Sequence, residues 1–222
     1  VSLKKKKKIK IENDVNKKKT LLKNLFTTYI EKDIIAMYGI NYREKVVKLL
    51  KTIASIYGGM VNYQTLSENS GIKYKEIRNI LPLLEDSFVI FIVKPFYKNV
   101  TNELRKNPKI YFVDYGLRNY LMEDFDTISY DTLYENFIHN QLKRSSNVKY
   151  WRTQAKTEVD FVIQSKNEII PIEVKTTPKI TRSFRSFINH YHPQNAFIMN
   201  VKNVDIRNID ETTVYTIPFV YI

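Results

Sequence analysis

The stretch Glu158–Lys175, EVDFVIQSKNEIIPIEVK, sets Asp160, Glu173 and Lys175 among residues that otherwise read as two packed β-strands. Between the two apolar runs, QSKN at 164–167 supplies turn formers, so the segments are expected to pair as an antiparallel hairpin. A turn closed symmetrically there sets Asp160 opposite Pro171 and Glu158 opposite Glu173. Side chains alternate along a strand. Asp160, Glu173 and Lys175 therefore share one face, and Phe161, Ile170, Ile172 and Val174 share the other. In this register Asp160 and Glu173 are diagonal neighbours about 7–8 Å apart, a gap that two carboxylates can close around one cation. Pro171 cannot donate to a ladder, so the second strand is expected to be unpaired there or to sit at a non-hydrogen-bonded position.

Bare carboxylates at ~4 Å repel by about 4 kcal/mol at an effective dielectric near 20. Lys175 offsets part of that, and a divalent cation can offset the rest. Hard oxygen donors suit Mg²⁺ or Mn²⁺. The chemistry that fits is phosphodiester hydrolysis. The metal polarises a phosphate oxygen and acidifies a water, while the lysine orients that water or neutralises charge on the phosphorane. Glu135, on the preceding helical segment, is placed to approach the same metal from the side. The bland alternative is an exposed salt-bridge ladder, where each pair stabilises by well under ~1 kcal/mol. Against it, residues 168–175 are apolar at Ile169, Ile170, Ile172 and Val174. That pattern describes a covered central strand with charges at its end, where sites form.

The whole chain has 222 residues, 43% hydrophobic and 13% aromatic, which suits one large or two small globular domains. The longest apolar run, FVIFIV at 88–93, is far short of the ~20 residues of a membrane helix, so no membrane partner is expected. There is no cysteine, hence no disulfide and no thiolate metal site. The expected location is cytoplasmic. Of the net charge of +13, residues 1–23 hold ten lysines against Glu12 and Asp14. That run reads as a flexible basic tail, either merely solvated or an electrostatic contact to nucleic acid. The chain begins with Val, as expected for a piece of something longer.

Residues 21–40 carry apolar side chains at helical spacing, giving a docking or linker helix over 24–42. A second helix spans about 43–57 and a short one 64–69. A longer helix begins near Lys73 and should kink or end at Pro82. The strands FVIFIVKPF and KIYFVDYG follow, so 43–122 reads as a winged helix-turn-helix. Lys73, Lys75 and Arg78 near the start of its recognition helix are the candidate DNA contacts. Over 123–222 a helix, three strands, a helix and further strands make an α/β domain with a mixed central sheet. His139, His190 and His192 are scattered and read as structural. No GxxxxGK[ST] loop is present, so this chain is not expected to bind ATP by that route.

Glu135, Asp160 and Glu173-Val174-Lys175, taken in order, resemble the PD-(D/E)XK nuclease superfamily with its restriction-endonuclease-like fold. The wider run TTYIEKDI, LLEDSFVIFIVKPFYKN, PKIYFVDYGLRNYL, LYENFIHNQLKR, YWR, EVDFVI and PIEVK is similar to the C-terminal region of archaeal-type AAA+ ATPases, over about residues 25–222. The resemblance implies a winged helix followed by a nuclease-like domain. It implies that Asp160, Glu173 and Glu135 bind metal and that Lys175 is catalytic. Val159 stands where the superfamily often has Pro, and no Walker motif precedes residue 25. The expected function is Mg²⁺- or Mn²⁺-dependent cleavage of DNA. The alternatives are a non-cleaving DNA-binding module of an AAA+ ATPase, in cis or in trans, and a winged-helix regulator indifferent to the acids.

Overall fold

The computed structural model describes residues 15–29, 35–96, 107–125, 130–165 and 168–222. Helix α1 (Val15–Tyr29) starts the described chain and is followed by the single turn α2 (Ala36–Tyr38). Three helices then pack together: α3 (Arg43–Ile56), α4 (Tyr63–Ser70) and α5 (Tyr74–Asp86). Val46, Leu49, Leu50 and Ile53 recur on one face of α3 and are buried against Leu66, Ile77, Ile80 and Leu84. The Asn62 side chain caps α4 by accepting from the Gln64 and Thr65 amides. Gly71 ends that helix in the left-handed region at φ 68°, which glycine adopts without Cβ strain. The strands β1 (Ile90–Val93) and β2 (Lys109–Phe112) pair antiparallel with Ile90 opposite Phe112, and α6 (Tyr115–Met122) closes this half.

Two expectations are corrected here. Of the kink or end expected at Pro82, the end does not occur: the helix runs through Pro82 to Asp86. Proline forfeits only the bond to the Arg78 carbonyl, and burial of Ile77, Ile80, Leu81 and Leu84 outweighs that loss. The basic run is not a free tail up to residue 23: helix α1 begins at Val15, with Lys17, Lys18, Lys19 and Lys23 exposed along it. The segment 1–14 lies outside the described residues, as does 30–34 of the helix expected over 24–42.

The second half is a six-stranded mixed sheet covered on both faces. Its elements are α7 (Tyr130–Leu142), β3 (Val148–Arg152), β4 (Glu158–Gln164), β5 (Ile169–Val174), α8 (Arg182–Tyr191), β6 (Asn195–Asn200), β7 (Asp205–Ile209) and β8 (Thr212–Pro218). Strand order is β3-β4-β5-β6-β8-β7. Strands β3, β4 and β5 run antiparallel, β5, β6 and β8 run parallel, and β7 returns antiparallel at the edge. On one face Tyr150, Phe161, Ile172, Val174 and Met199 pack with Ile138 of α7 and with Val93 and Tyr111 of the β1/β2 hairpin. On the other, Val159, Val162, Ile198 and Val214 pack under Phe184, Phe187 and Ile188 of α8. No described helix is long and apolar enough to cross a membrane.

The β1/β2 hairpin is therefore shared by both halves. Asn136 of α7 accepts from the Phe112 amide at 3.1 Å and donates to its carbonyl at 2.9 Å, satisfying the outer edge of β2. The Tyr150 amide donates to the Lys94 carbonyl at 3.1 Å, carrying the chain after β1 onto β3. The division expected at 122/123 leaves one core, from Phe26 to Leu121, within the first half, while the packing of Val93, Phe96 and Tyr111 and the Asn136–Phe112 hydrogen bonds cross it.

Candidate active site

The β4–β5 pairing sets Phe161 opposite Ile172, Val162 opposite Pro171 and Gln164 opposite Ile169. This is two residues away from the expected register, because the hairpin closes between Ser165 and Glu168. A shift of two keeps the paired side chains of 161–164 on their expected faces and carries Asp160 towards Glu173 at the strand end. Pro171 precedes Ile172, the first residue paired with β6, so on that side its missing N–H breaks no bond.

A bulge aims Asp160. In β3, Lys149 pairs with Val162 but Trp151 pairs with Val159, so Tyr150 faces both Asp160 and Phe161. Strict alternation ends there, and Val159 and Val162 both pack beneath α8. Bulges re-aim side chains in this way. Asp160 Oδ2 accepts from the Val174 amide at 2.8 Å and lies 3.3 Å from Lys175 Nζ. The same ammonium lies 3.3 Å from Glu173 Oε1. The backbone of Lys175 is anchored by its amide donating to the Met199 carbonyl at 2.9 Å. Thr181, which caps α8 through the Phe184 amide, donates its hydroxyl to Glu173 Oε1 at 3.2 Å. The two acids and the lysine thus meet at the carboxyl end of β5, where the β5–α8–β6 crossover begins. That is the usual place for a site in a parallel sheet.

Glu173 is 2% exposed, and its Oε2 has no hydrogen-bond partner. Burial, with the Asp160 charge adding to it, pushes its carboxyl up to about 7, against the opposing pull of Lys175 and Thr181. Burial disfavours the Lys175 ammonium, but Asp160 and Glu173 more than compensate and hold its pKa above the ordinary lysine value. Because Glu173 keeps its proton to higher pH when folded, the folded chain binds more protons than the unfolded chain between about 4.5 and 7. Stability from this group is complete below about 4.5 and is lost as pH rises through about 7. In metal-free buffer Glu173→Gln is expected to flatten that fall and to stabilise the protein above pH 7 by on the order of 2–3 kcal/mol. Denaturant melts at pH 5 and pH 8 check it.

A second cluster adjoins the first and was not read from the sequence. Lys109, on β2, is 2% exposed. Its ammonium pairs with Glu158 at 2.5 Å and with Glu135 at 3.2 Å. Glu158 also holds Arg152 at 2.6 Å, and Glu135 accepts from the Tyr111 hydroxyl. Burial opposes the Lys109 charge, yet Glu135, Glu158 and Asp160 outweigh it and raise its pKa. Burial raises Glu135, with Asp160 adding to that and Lys109 opposing it. Asp160 therefore acts electrostatically on both clusters. Gly58, at φ 69°, brings the chain beside this pocket; a Cβ there would stand 3.6 Å from Glu135 Oε2. The only sequence signal was a lysine opening an apolar strand. His139 is buried, stacked on Tyr111 at 4.8 Å, and lowered by burial to about 4, so it is a neutral packing residue.

Among the described residues no three His, Cys, Asp or Glu side chains gather into one metal-sized group. Glu135, expected to join Asp160 and Glu173, instead has its Oε1 engaged by Lys109 and Tyr111. Two carboxylates are nonetheless a sufficient protein donor set for Mg²⁺, which keeps several waters and commonly adds substrate phosphate oxygens. The unpartnered Oε2 of Glu173 beside Asp160 fits such a cation. In the first half, Lys75 and Arg78 are exposed on α5 and Lys73 is exposed at its N-cap.

Two family models account for most of the chain. A domain of unknown function, DUF8612, matches residues 10–127, more than half of the chain, and the protein belongs to that family. A second, DUF4143, matches residues 130–220; it is a domain often found at the C-terminus of AAA-type ATPases. Among similar chains, the uncharacterized protein Rv2008c of Mycobacterium tuberculosis is 27% identical over 172 residues, 72% of this chain and 39% of its own length. An uncharacterized protein of Haemophilus influenzae is 25% identical over 163 residues, 71% of this chain and 40% of its own length. The chain thus spans about two fifths of the relatives it matches.

Proposed function

We propose that this protein hydrolyses DNA phosphodiester bonds at the Asp160–Glu173–Lys175 cluster, with Mg²⁺ or Mn²⁺ held by the two carboxylates. The observation that carries this reading is Glu173, a buried acid with one unpartnered oxygen, set against a second acid and a lysine at a strand end. Counted over both clusters, four carboxylates face Lys175, Lys109 and Arg152, which leaves one surplus negative charge. A proton on Glu173 answers that surplus in metal-free protein, and a cation answers it in the working state.

The cation supplies Lewis-acid polarisation of the scissile phosphate and acidifies a water. The residues of the chain do the rest. Asp160 and Glu173 fix the donor geometry, Asp160 itself being fixed by the Val174 amide. Lys175 is one-third exposed and its ammonium stands between both acids. From there it can turn to the attacking water or to the charge developing on the phosphate. The three helices α3–α5 with the β1/β2 hairpin are read as a winged helix, with Lys73, Lys75 and Arg78 of α5 presenting duplex DNA. The PD-(D/E)XK reading of the sheet rests on the order of its acids and on their meeting at the β5 end.

A second reading is a non-cleaving DNA-binding module that works with an AAA+ ATPase, in cis or in trans. It is favoured by Lys175, whose ammonium already bridges both acids without a metal. Incubating purified protein with supercoiled plasmid and branched DNA decides between them. Nicking with Mg²⁺ or Mn²⁺ and none with EDTA is expected. The absence of metal-dependent nicking on every DNA form would hand the site to the second reading.

A further inference from the structure

Helix α8, RSFRSFINHY, carries no acidic residue. Phe184, Phe187 and Ile188 bury its inner face, and its outer face shows Arg182, Arg185, Ser186 and Asn189 to solvent. Arg182 and Arg185 are one turn apart, with Cβ atoms about 5–6 Å from each other. Neither they nor Lys179, in the loop before the helix, has an ion-pair partner among the described residues. By contrast Arg152 pairs with Glu158 and Arg207 pairs with Asp205. Like charges at this spacing weaken a helix, so the pair does nothing for the fold that a neutral side chain would not do better.

Position gives these residues a use. Thr181, immediately before Arg182, both caps α8 and donates to Glu173. The arginines therefore extend from the acid pair along one helix. Two shallow concavities flank them. One, of about 500 Å³, is lined by Arg182, Arg185 and Asn189. The other, of about 740 Å³, is lined by Lys179, Arg185 and Arg207, with Asp205 in its wall paired to Arg207. Arg185 belongs to both, which makes the basic surface continuous across them.

Building on the reading of the acid pair as a phosphodiester-cleaving centre, we propose that Lys179, Arg182 and Arg185 form the track that holds the phosphate backbone of the DNA strand leading into it. Guanidinium forks match phosphate oxygens in two-point contacts. Such contacts set strand position rather than sequence preference. The amide end of α8 adds its positive dipole next to the scissile position.

The test is DNA binding in EDTA, where no cutting occurs, followed by fluorescence anisotropy over a salt series. Labelled duplex and single-stranded oligonucleotides distinguish the two forms of the same backbone. Arg182→Gln with Arg185→Gln is expected to reduce the log–log salt slope by about 1.8 on duplex, or about 1.4 if the track takes a single strand. Lys143→Ala with Arg144→Ala, at the far end of α7, serves as the control and is expected to leave the slope unchanged. An unchanged slope for the α8 pair, or an equal fall for the control pair, overturns the track. The outcome is separable from that of the cleavage reading. A wild-type protein that never nicks, but whose slope falls with the α8 pair, loses the nuclease assignment and keeps the track. A protein that nicks with an unchanged slope loses the track alone.

Discussion

Asp160→Asn, Glu173→Gln and Lys175→Met are each expected to lower metal-dependent cleavage of DNA by at least ~10²-fold, the usual cost of losing one preorganised charge at a reacting centre. DNA affinity should stay within a few-fold, because phosphate contacts elsewhere supply most of it. The three losses arise differently. Glu173→Gln removes the unpartnered oxygen. Asp160→Asn weakens the cation donor set and presents an amide to the Val174 N–H and to Lys175. Lys175→Met leaves the acids in place but removes the ammonium that lies 3.3 Å from each. Quantified nicking beside anisotropy on the same preparations separates a chemical defect from a binding defect. A parallel fall in both would move these residues from the reaction to the DNA-binding surface.

The second large effect concerns stability. Lys109→Met is expected to destabilise the protein by about 3–5 kcal/mol near neutral pH, the range for removing one partner of a buried ion pair. It leaves Glu135 and Glu158 facing each other with Arg152 alone as counter-charge. Adding Glu135→Gln should recover part of the loss by removing one uncompensated charge, and denaturant melts of the single and double variants measure the recovery. The penalty should also shrink towards acid pH, since burial already raises the Glu135 carboxyl. If Lys109→Met were neutral, the contact between the β1/β2 hairpin and the sheet would be a surface pairing only. The consequence for function is that the sheet half depends on the first half for the charge balance beside its acids.

Much of this was legible in residues 158–175. Alternation placed Phe161, Ile172 and Val174 on a packed face, and the charges at the β5 end pointed to the candidate site. The register was missed by two because the turn residues run on to Glu168, and composition alone does not say where a hairpin closes. The bulge at Asp160 was not legible either. It depends on the pairing of β3 with β4, and period-two counting cannot reveal an extra residue. Lys109 and Tyr111 were hidden for a different reason. Their partner Glu135 lies 26 and 24 residues away, and no local pattern marks a strand lysine as the counter-ion of another domain's acids. Pro82 shows tertiary burial overriding a local breaker signal.

The proposed cleavage requires Asp160 and Glu173 to form one divalent-cation site together. Titrating Mn²⁺ into the purified protein and counting bound ion by electron paramagnetic resonance tests it without reference to activity. One site is expected in the wild-type protein, and its loss is expected in the Asp160→Asn, Glu173→Gln double variant. Equal Mn²⁺ binding by the two proteins would contradict a cation site shared by Asp160 and Glu173.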